Sequence, residues 1–202
     1  MELELVQKFK DIFTGLERAH GVFEKNNEPQ EGVKVEAHMK TVHEPPSIEK
    51  FKKHLLGEYP AMGIVPINDD DKCKFGAIDI DVYPLDYKIL LKKIKQKKFP
   101  LIMCLSKSGG AHLYLFTKQY VSAKDMQTKL SEMATAIGYP KAEVFPKQIE
   151  LYQREGEEKR DTGSWINLPY HGRSRYGINE LGNALSLEEF LSHYDTLVVG
   201  AL

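Results

Sequence analysis

The chain has 202 residues, with 28 Lys and Arg against 29 Asp and Glu and a formal net charge of −1. This length suits one domain with a sizeable core, and the balanced charge excludes nucleic-acid binding by overall charge alone, leaving only a local basic surface. Two cysteines, Cys73 and Cys104, exclude a disulfide framework and a zinc-binding module. No signal peptide or transmembrane run is read, so a cytoplasmic setting without membrane attachment is expected.

The first stretch predicts an amphipathic helix with Leu3, Val6, Phe9, Phe13, Leu16 and His20 on one face, broken at Asn26-Asn27-Glu28-Pro29. Residues 33–46 have no clear period and end at Pro45-Pro46. Ser47 then caps a short helix carrying Ile48, Phe51, Leu55 and Leu56. Residues 1–56 therefore read as a mostly helical N-terminal part, and 57–190 as a core, within a single domain of 1–202.

A strand is expected over Ala61 to Ile67, followed by a turn at Asn68-Asp69-Asp70-Asp71 and a second strand, Phe75-Gly76-Ala77-Ile78-Asp79-Ile80-Asp81, paired as a hairpin. The acid run in the turn reads as a solvated loop. Asp79 and Asp81 are different: two residues apart on a strand, both carboxylates share one face. They repel unless a cation lies between them, and oxygen ligands suit Mg²⁺ or Mn²⁺. The plainer alternative is an edge strand with two wet aspartates.

Asp86 to Lys98 predicts a helix with Tyr87, Leu90, Leu91 and Ile94 inward. Its lysines (Lys88, Lys92, Lys93, Lys95, Lys97, Lys98) form either a solvated face or a nucleic-acid surface. Strands follow at Leu101 to Leu105 and His112 to Phe116, joined by Ser106-Lys107-Ser108-Gly109-Gly110-Ala111. Hydroxyls, open amides, a lysine and an imidazole gather at this turn, which suits an anion, though a packed Gly-Gly hairpin is the simpler account. A helix capped by Ser122 presents Met126, Leu130, Met133 and Ile137 to the core and stops at Gly138. Strands at Ala142 to Phe145, Ile149 to Gln153 and Ser164 to Leu168 surround a charged loop at 154–162, and Ser186 with Glu189 caps a last helix. Glu143 is a third acid in an apolar strand, with Lys147 nearby. A third carboxylate would complete a two-metal site in which cations about 4 Å apart activate a nucleophile and stabilise a leaving oxygen; a plain edge-strand glutamate is the competing account. Mixed helices and hairpins give an α+β fold.

Three motifs in order carry a resemblance: Ile78-Asp79-Ile80-Asp81, Gly110-Ala111-His112 and Ala142-Glu143-Val144. With Gly63-Ile64-Val65-Pro66-Ile67, Glu143-Val144-Phe145-Pro146-Lys147-Gln148 and Gly163-Ser164-Trp165-Ile166-Asn167-Leu168-Pro169-Tyr170, the chain resembles the archaeo-eukaryotic primase superfamily from about Gly57 to about Phe190. More specifically, it resembles the primase domains of phage and mobile-element replication proteins and conflict systems. The resemblance implies an RRM-like mixed or antiparallel sheet with a second small α/β lobe. It implies template-directed synthesis on single-stranded DNA from NTP or dNTP with two divalent cations, Mg²⁺ or Mn²⁺.

Asp79, Asp81 and Glu143 would be the metal ligands, Glu143 standing where many relatives carry Asp. Ser106, Ser108, Gly109 and His112 would bind the triphosphate, with Lys147, Asn167 and Arg173 near the incoming nucleotide. A primer, and a helicase or other replication domain on a longer chain, are the expected partners. Competing functions are a Mn²⁺-dependent Asp-x-Asp glycosyltransferase, a metal-dependent nuclease, and a non-catalytic single-stranded nucleic-acid-binding domain using the lysine helix with Trp165 or Tyr170.

Overall fold

The computed structural model describes residues 1–25, 37–153, 155–156 and 160–202. The first helix, α1 (Leu3–Ile12), buries Val6, Phe9 and Ile12, the spacing that predicted it. It stops at Ile12, short of the expected Leu16 and His20. The backbone at Gly15 runs so close to residue 65 that a Cβ there would lie 2.0 Å from the Val65 carbonyl, which accepts from Leu16 N–H at 3.0 Å. His20 instead opens a strand, β1 (His20–Lys25), which pairs with β2 (Ala37–Val42). The part expected to be mostly helical thus contains two strands as well as α1 and α2 (Ile48–Leu56), the latter capped by Ser47 as predicted. The predicted break at 26–29 lies outside the described residues.

The hairpin expected across Asn68 to Asp71 does not form. β3 (Ala61–Ile64) lies between β1 and the late strand β8 (Ile166–Asn167), in a sheet ordered β2-β1-β3-β8. The next strand, β4 (Lys72–Ile80), belongs to a second sheet. Both edges of each strand are already taken, and the intervening loop carries the chain from one sheet to the other. Its turn is closed by Asn68 Oδ1, which accepts from Asp70 and Lys72 N–H.

The second sheet is built from β4, α3 (Tyr87–Gln96), β5 (Ile102–Leu105), β6 (Ala111–Ser122), α4 (Ala123–Ala136) and β7 (Glu143–Phe145), with order β5-β6-β4-β7 and every pairing antiparallel. A βαββαβ unit in this order is the RRM-like arrangement. Alternation divides its faces. Ile78, Ile80, Leu113 and Leu115 pack against Leu90 and Ile94 of α3 and Met126, Leu130 and Met133 of α4. Phe75, Ala77, Tyr114, Phe116 and Phe145 face the other way, against α1, α2 and Phe190 of α5 (Leu187–Leu197). Phe13 centres this layer, its ring 5.2–5.4 Å from those of Phe75, Tyr114 and Phe116. The capping box of α5 forms as predicted between Ser186 and Glu189. Cys73 and Cys104 are free and buried, and burial pushes the Cys73 thiol up to about 12.

The strand expected at Ile149 to Gln153 is absent. Its backbone is claimed by side chains: Leu151 N–H donates to Asp71 Oδ1 at 2.8 Å, and the Leu151 carbonyl accepts from Arg160.

Candidate active site

Residues distant in sequence meet one step beyond the aromatic core. Ala77 pairs with Tyr114 and Phe145, and two residues along, Asp79 pairs with His112 on β6 and Glu143 on β7. Period-two alternation therefore sets Asp79, His112 and Glu143 in a row across three strands, on the face turned toward the first sheet. The Asp79 side chain is only 18 % exposed. Its Oδ1 is buried and has no hydrogen-bond partner among the described residues. An orphaned buried carboxylate oxygen is costly and calls for an electrophile.

His112 Nε2 lies 3.4 Å from this oxygen. Tyr114 hydroxyl donates to the Asn167 carbonyl at 2.9 Å, leaving its oxygen to accept from His112 Nδ1 at 3.1 Å. With Nδ1 donating, Nε2 holds a proton only in the imidazolium. In the neutral ring two lone pairs face each other, and the arrangement again asks for a proton or a cation. Burial holds the Tyr114 phenol well above its ordinary range, so it stays a neutral donor.

The other two expected metal ligands are held more loosely. Asp81 is exposed just past β4 and accepts from Tyr83 hydroxyl at 2.8 Å. Burial first, and then Asp81, raise the Tyr83 phenol, which also bonds the Ser108 side chain. Glu143 is exposed and meets Lys147 Nζ at 2.6 Å. Among the described residues no three His, Cys, Asp or Glu side chains are gathered as a metal cluster. The donors nevertheless fit a hard cation: all are carboxylate oxygens, one is orphaned, and two are each tied at the surface by one bond.

In the Ser/Gly turn, Ser106 Oγ accepts from Gly110 N–H at 3.0 Å and Tyr87 hydroxyl donates to the Gly109 carbonyl at 2.6 Å. Ser106 thus holds the turn, while Ser108 and Gly109 are exposed at its tip. Lys107 Nζ lies 3.8 Å from the Phe23 ring centroid, and the Arg175 guanidinium 5.8 Å from the same ring.

Arg175 went unrecognised in the sequence. It is 5 % exposed, and its contacts are long bonds of 3.4 Å to Asn167 Oδ1 and the Leu168 carbonyl. No carboxylate pairs with it among the described residues. Burial lowers its pKa. A buried guanidinium without a counter-ion suits an anion. Arg173, the arginine expected near the nucleotide, is exposed and borders another cavity with Leu55 and Tyr170. The Arg-Ser-Arg spacing offered no means of choosing between them; only the turn that buries Arg175 does.

A cleft of about 430 Å³ lies between the sheets, lined by Thr41, Asp79, His112, Glu143, Trp165 and Asn167 among others. That volume suits a small ligand. Lys147 also lines it; Asp81, Ser106, Ser108, Gly109 and Arg173 do not. Tyr170 is buried and unavailable for stacking. The lysines of α3 lie behind the second sheet, on the side away from Asp79. Lys93 donates to the Ile137 carbonyl at 2.8 Å, and Lys95 pairs with Glu180, so part of that face serves the fold. No helix among the described residues is long and apolar enough to cross a membrane.

Compared with known families, residues 10–185 match the one described as the archaeo-eukaryotic primase domain of the TOTE conflict system. No curated protein matches the chain.

Proposed function

The chain belongs to the archaeo-eukaryotic primase domain family of the TOTE conflict system, and from that premise we propose that it is a primase-polymerase, a template-dependent nucleotidyltransferase adding nucleotides from NTP or dNTP on single-stranded DNA. The family points to a primase or nucleotidyltransferase type of activity. The observation that carries the finer reading is Asp79 Oδ1, buried without a hydrogen-bond partner among the described residues, beside His112 in the inter-sheet cleft.

Asp79, Asp81 and Glu143 are the residues that would hold two divalent cations, Mg²⁺ or Mn²⁺, which supply activation of an attacking hydroxyl and neutralisation of charge on the leaving pyrophosphate. The chain's own groups do the positioning. His112 Nε2, aimed by the Tyr114 hydroxyl, faces the phosphates. Ser108 and the exposed amides of the Gly109 turn receive phosphate oxygens. Lys107 and Arg175 give that end its positive charge, Arg175 taking the part expected of Arg173. Lys147 balances Glu143, and Asn167 borders the nucleotide. Holding the reactants in line in a preorganised field is the bulk of the catalytic task. Template, primer and nucleotide are the partners of this reading, and an attached helicase or other replication module would assist initiation.

The test is synthesis on single-stranded DNA with Mg²⁺ or Mn²⁺ and labelled dNTP or NTP, with and without an annealed primer. Product that disappears in Asp79→Ala supports the proposal, and product without primer makes the enzyme a primase. A folded protein giving no product in any condition would overturn it.

A further inference from the structure

Gly21 and Phe23 share one face of strand β1, the face on which Trp165 rests. Gly21 stands directly opposite Gly63 of β3, and the Trp165 indole lies across this glycine pair. A Cβ at Gly21 would come 1.9 Å from Trp165 Cδ2, and one at Gly63 2.2 Å from its Cε3. Neither position admits a side chain while the indole rests there. The segment bearing the ring is fixed as well: Gln148 Oε1 accepts from Ser164 N–H at 2.8 Å, and Gln148 Nε2 donates to Ser164 Oγ at 3.0 Å. One side of the indole is given up to the sheet. The half-buried remainder borders the cleft that contains Asp79, His112 and Glu143.

Two residues along the same strand, about 7 Å away in extended backbone, Phe23 carries the cations of Lys107 and Arg175. One face of β1 therefore runs from a pair of cations, which lie outside the cleft lining, to Trp165 at the cleft's border, and the cleft itself is lined by Asp79, His112 and Glu143. A nucleoside triphosphate has the same polarity: phosphates, then the reacting phosphorus, then a flat base. We propose that Trp165 is the platform on which the base of the incoming nucleotide stacks, a role that rests on the nucleotidyltransferase reading and extends it to the base end of the site. Stacking on an indole accepts any base, since every base has a π-face. Trp165 thus supplies affinity, and choice among bases falls to the template.

Trp165 is the single tryptophan of the chain, so its emission reports the contact in the unaltered protein. With Mg²⁺ and no template, all four dNTPs should quench it with similar affinity, while inorganic tripolyphosphate should compete for the site without quenching. Trp165→Ala should raise the nucleotide KM about five- to a hundredfold, with kcat changed far less, and Trp165→Phe should recover most of the loss. Trp165→Leu covers the glycine pair without a ring, so it separates packing from stacking. A normal KM in Trp165→Leu, or dNTP binding by calorimetry with unmoved emission, would overturn the assignment while leaving the polymerase reading intact. A wild-type protein that neither binds dNTP nor synthesises would remove both.

Discussion

Two groups of carboxylates lie at the two ends of β4, and they differ in how they are partnered. Before the strand, Asp69 meets Arg18 and Asp71 receives both Arg160 Nη2 contacts at 2.8 Å, along with Leu151 N–H. At the strand's far end, Asp79 has a buried oxygen with no hydrogen-bond partner among the described residues. Burial would raise the Asp71 carboxyl, but its bonds from Arg160 and Leu151 outweigh that and hold it below the usual range. The denser acid cluster is therefore structural, joining the inter-sheet loop to the segment around Leu151. The sparser one is the chemical candidate. Unrelieved burial, more than the number of acids in a run, marks the place prepared for something else.

The strongest way to break this contrast is Asp79→Asn. It should lower synthesis about a thousandfold or more, since several kcal/mol of transition-state stabilisation depends on the carboxylate. Its thermal midpoint should stay equal or rise, because an unsatisfied buried charge is removed. Retained synthesis, or marked destabilisation, would make Asp79 an ordinary structural acid.

His54 offers a second contrast, a buried polar group that is fully satisfied. Met62 N–H donates to its Nδ1 and its Nε2 donates to the Pro169 carbonyl, both at 2.9 Å, fixing the neutral ring. Burial lowers its pKa from 6.5 to about 3. The unfolded chain therefore takes up a proton near pH 6.5 that the folded chain refuses until about pH 3. This group's contribution is complete above 6.5 and falls as pH drops through that window, by up to about 1.4 kcal/mol per unit. Urea unfolding from pH 7 to 4 measures it, and His54→Gln should flatten the slope.

Arg160→Ala should cost about 1–3 kcal/mol by leaving Asp71 and the Leu151 carbonyl short of donors, with synthesis per folded molecule unchanged. A parallel loss of nucleotide affinity would tie this region to the site. The smallest effect is expected from Lys92→Glu with Lys97→Glu. Because α3 lies behind the second sheet, on the side away from Asp79, the salt dependence of template binding should hardly move; a reduced slope would return that helix to the nucleic-acid surface.

The βαββαβ core was legible because its signals agree: short apolar runs at β4 and β6, and serine or aspartate caps where α3 and α4 begin. The row Asp79, His112, Glu143 was likewise readable as motifs, although only strand register shows them as neighbours. What escaped was decided by tertiary partners. His20 continues a helical spacing yet begins a strand, because Gly15 lets the chain turn against Val65. The Ile149 to Gln153 stretch has a strand's composition, but Asp71 and Arg160 occupy its backbone groups. Arg175 carries no local mark at all, since its burial is created by a loop.

The Tyr114 hydroxyl that aims His112 ends on the carbonyl of residue 167, a main-chain group present whatever amino acid stands there. That link between the sheets is thus insulated from drift at its far end. Descendants of this chain can exchange the Asn167 side chain, and with it the border of the cleft, without losing the orientation of the imidazole.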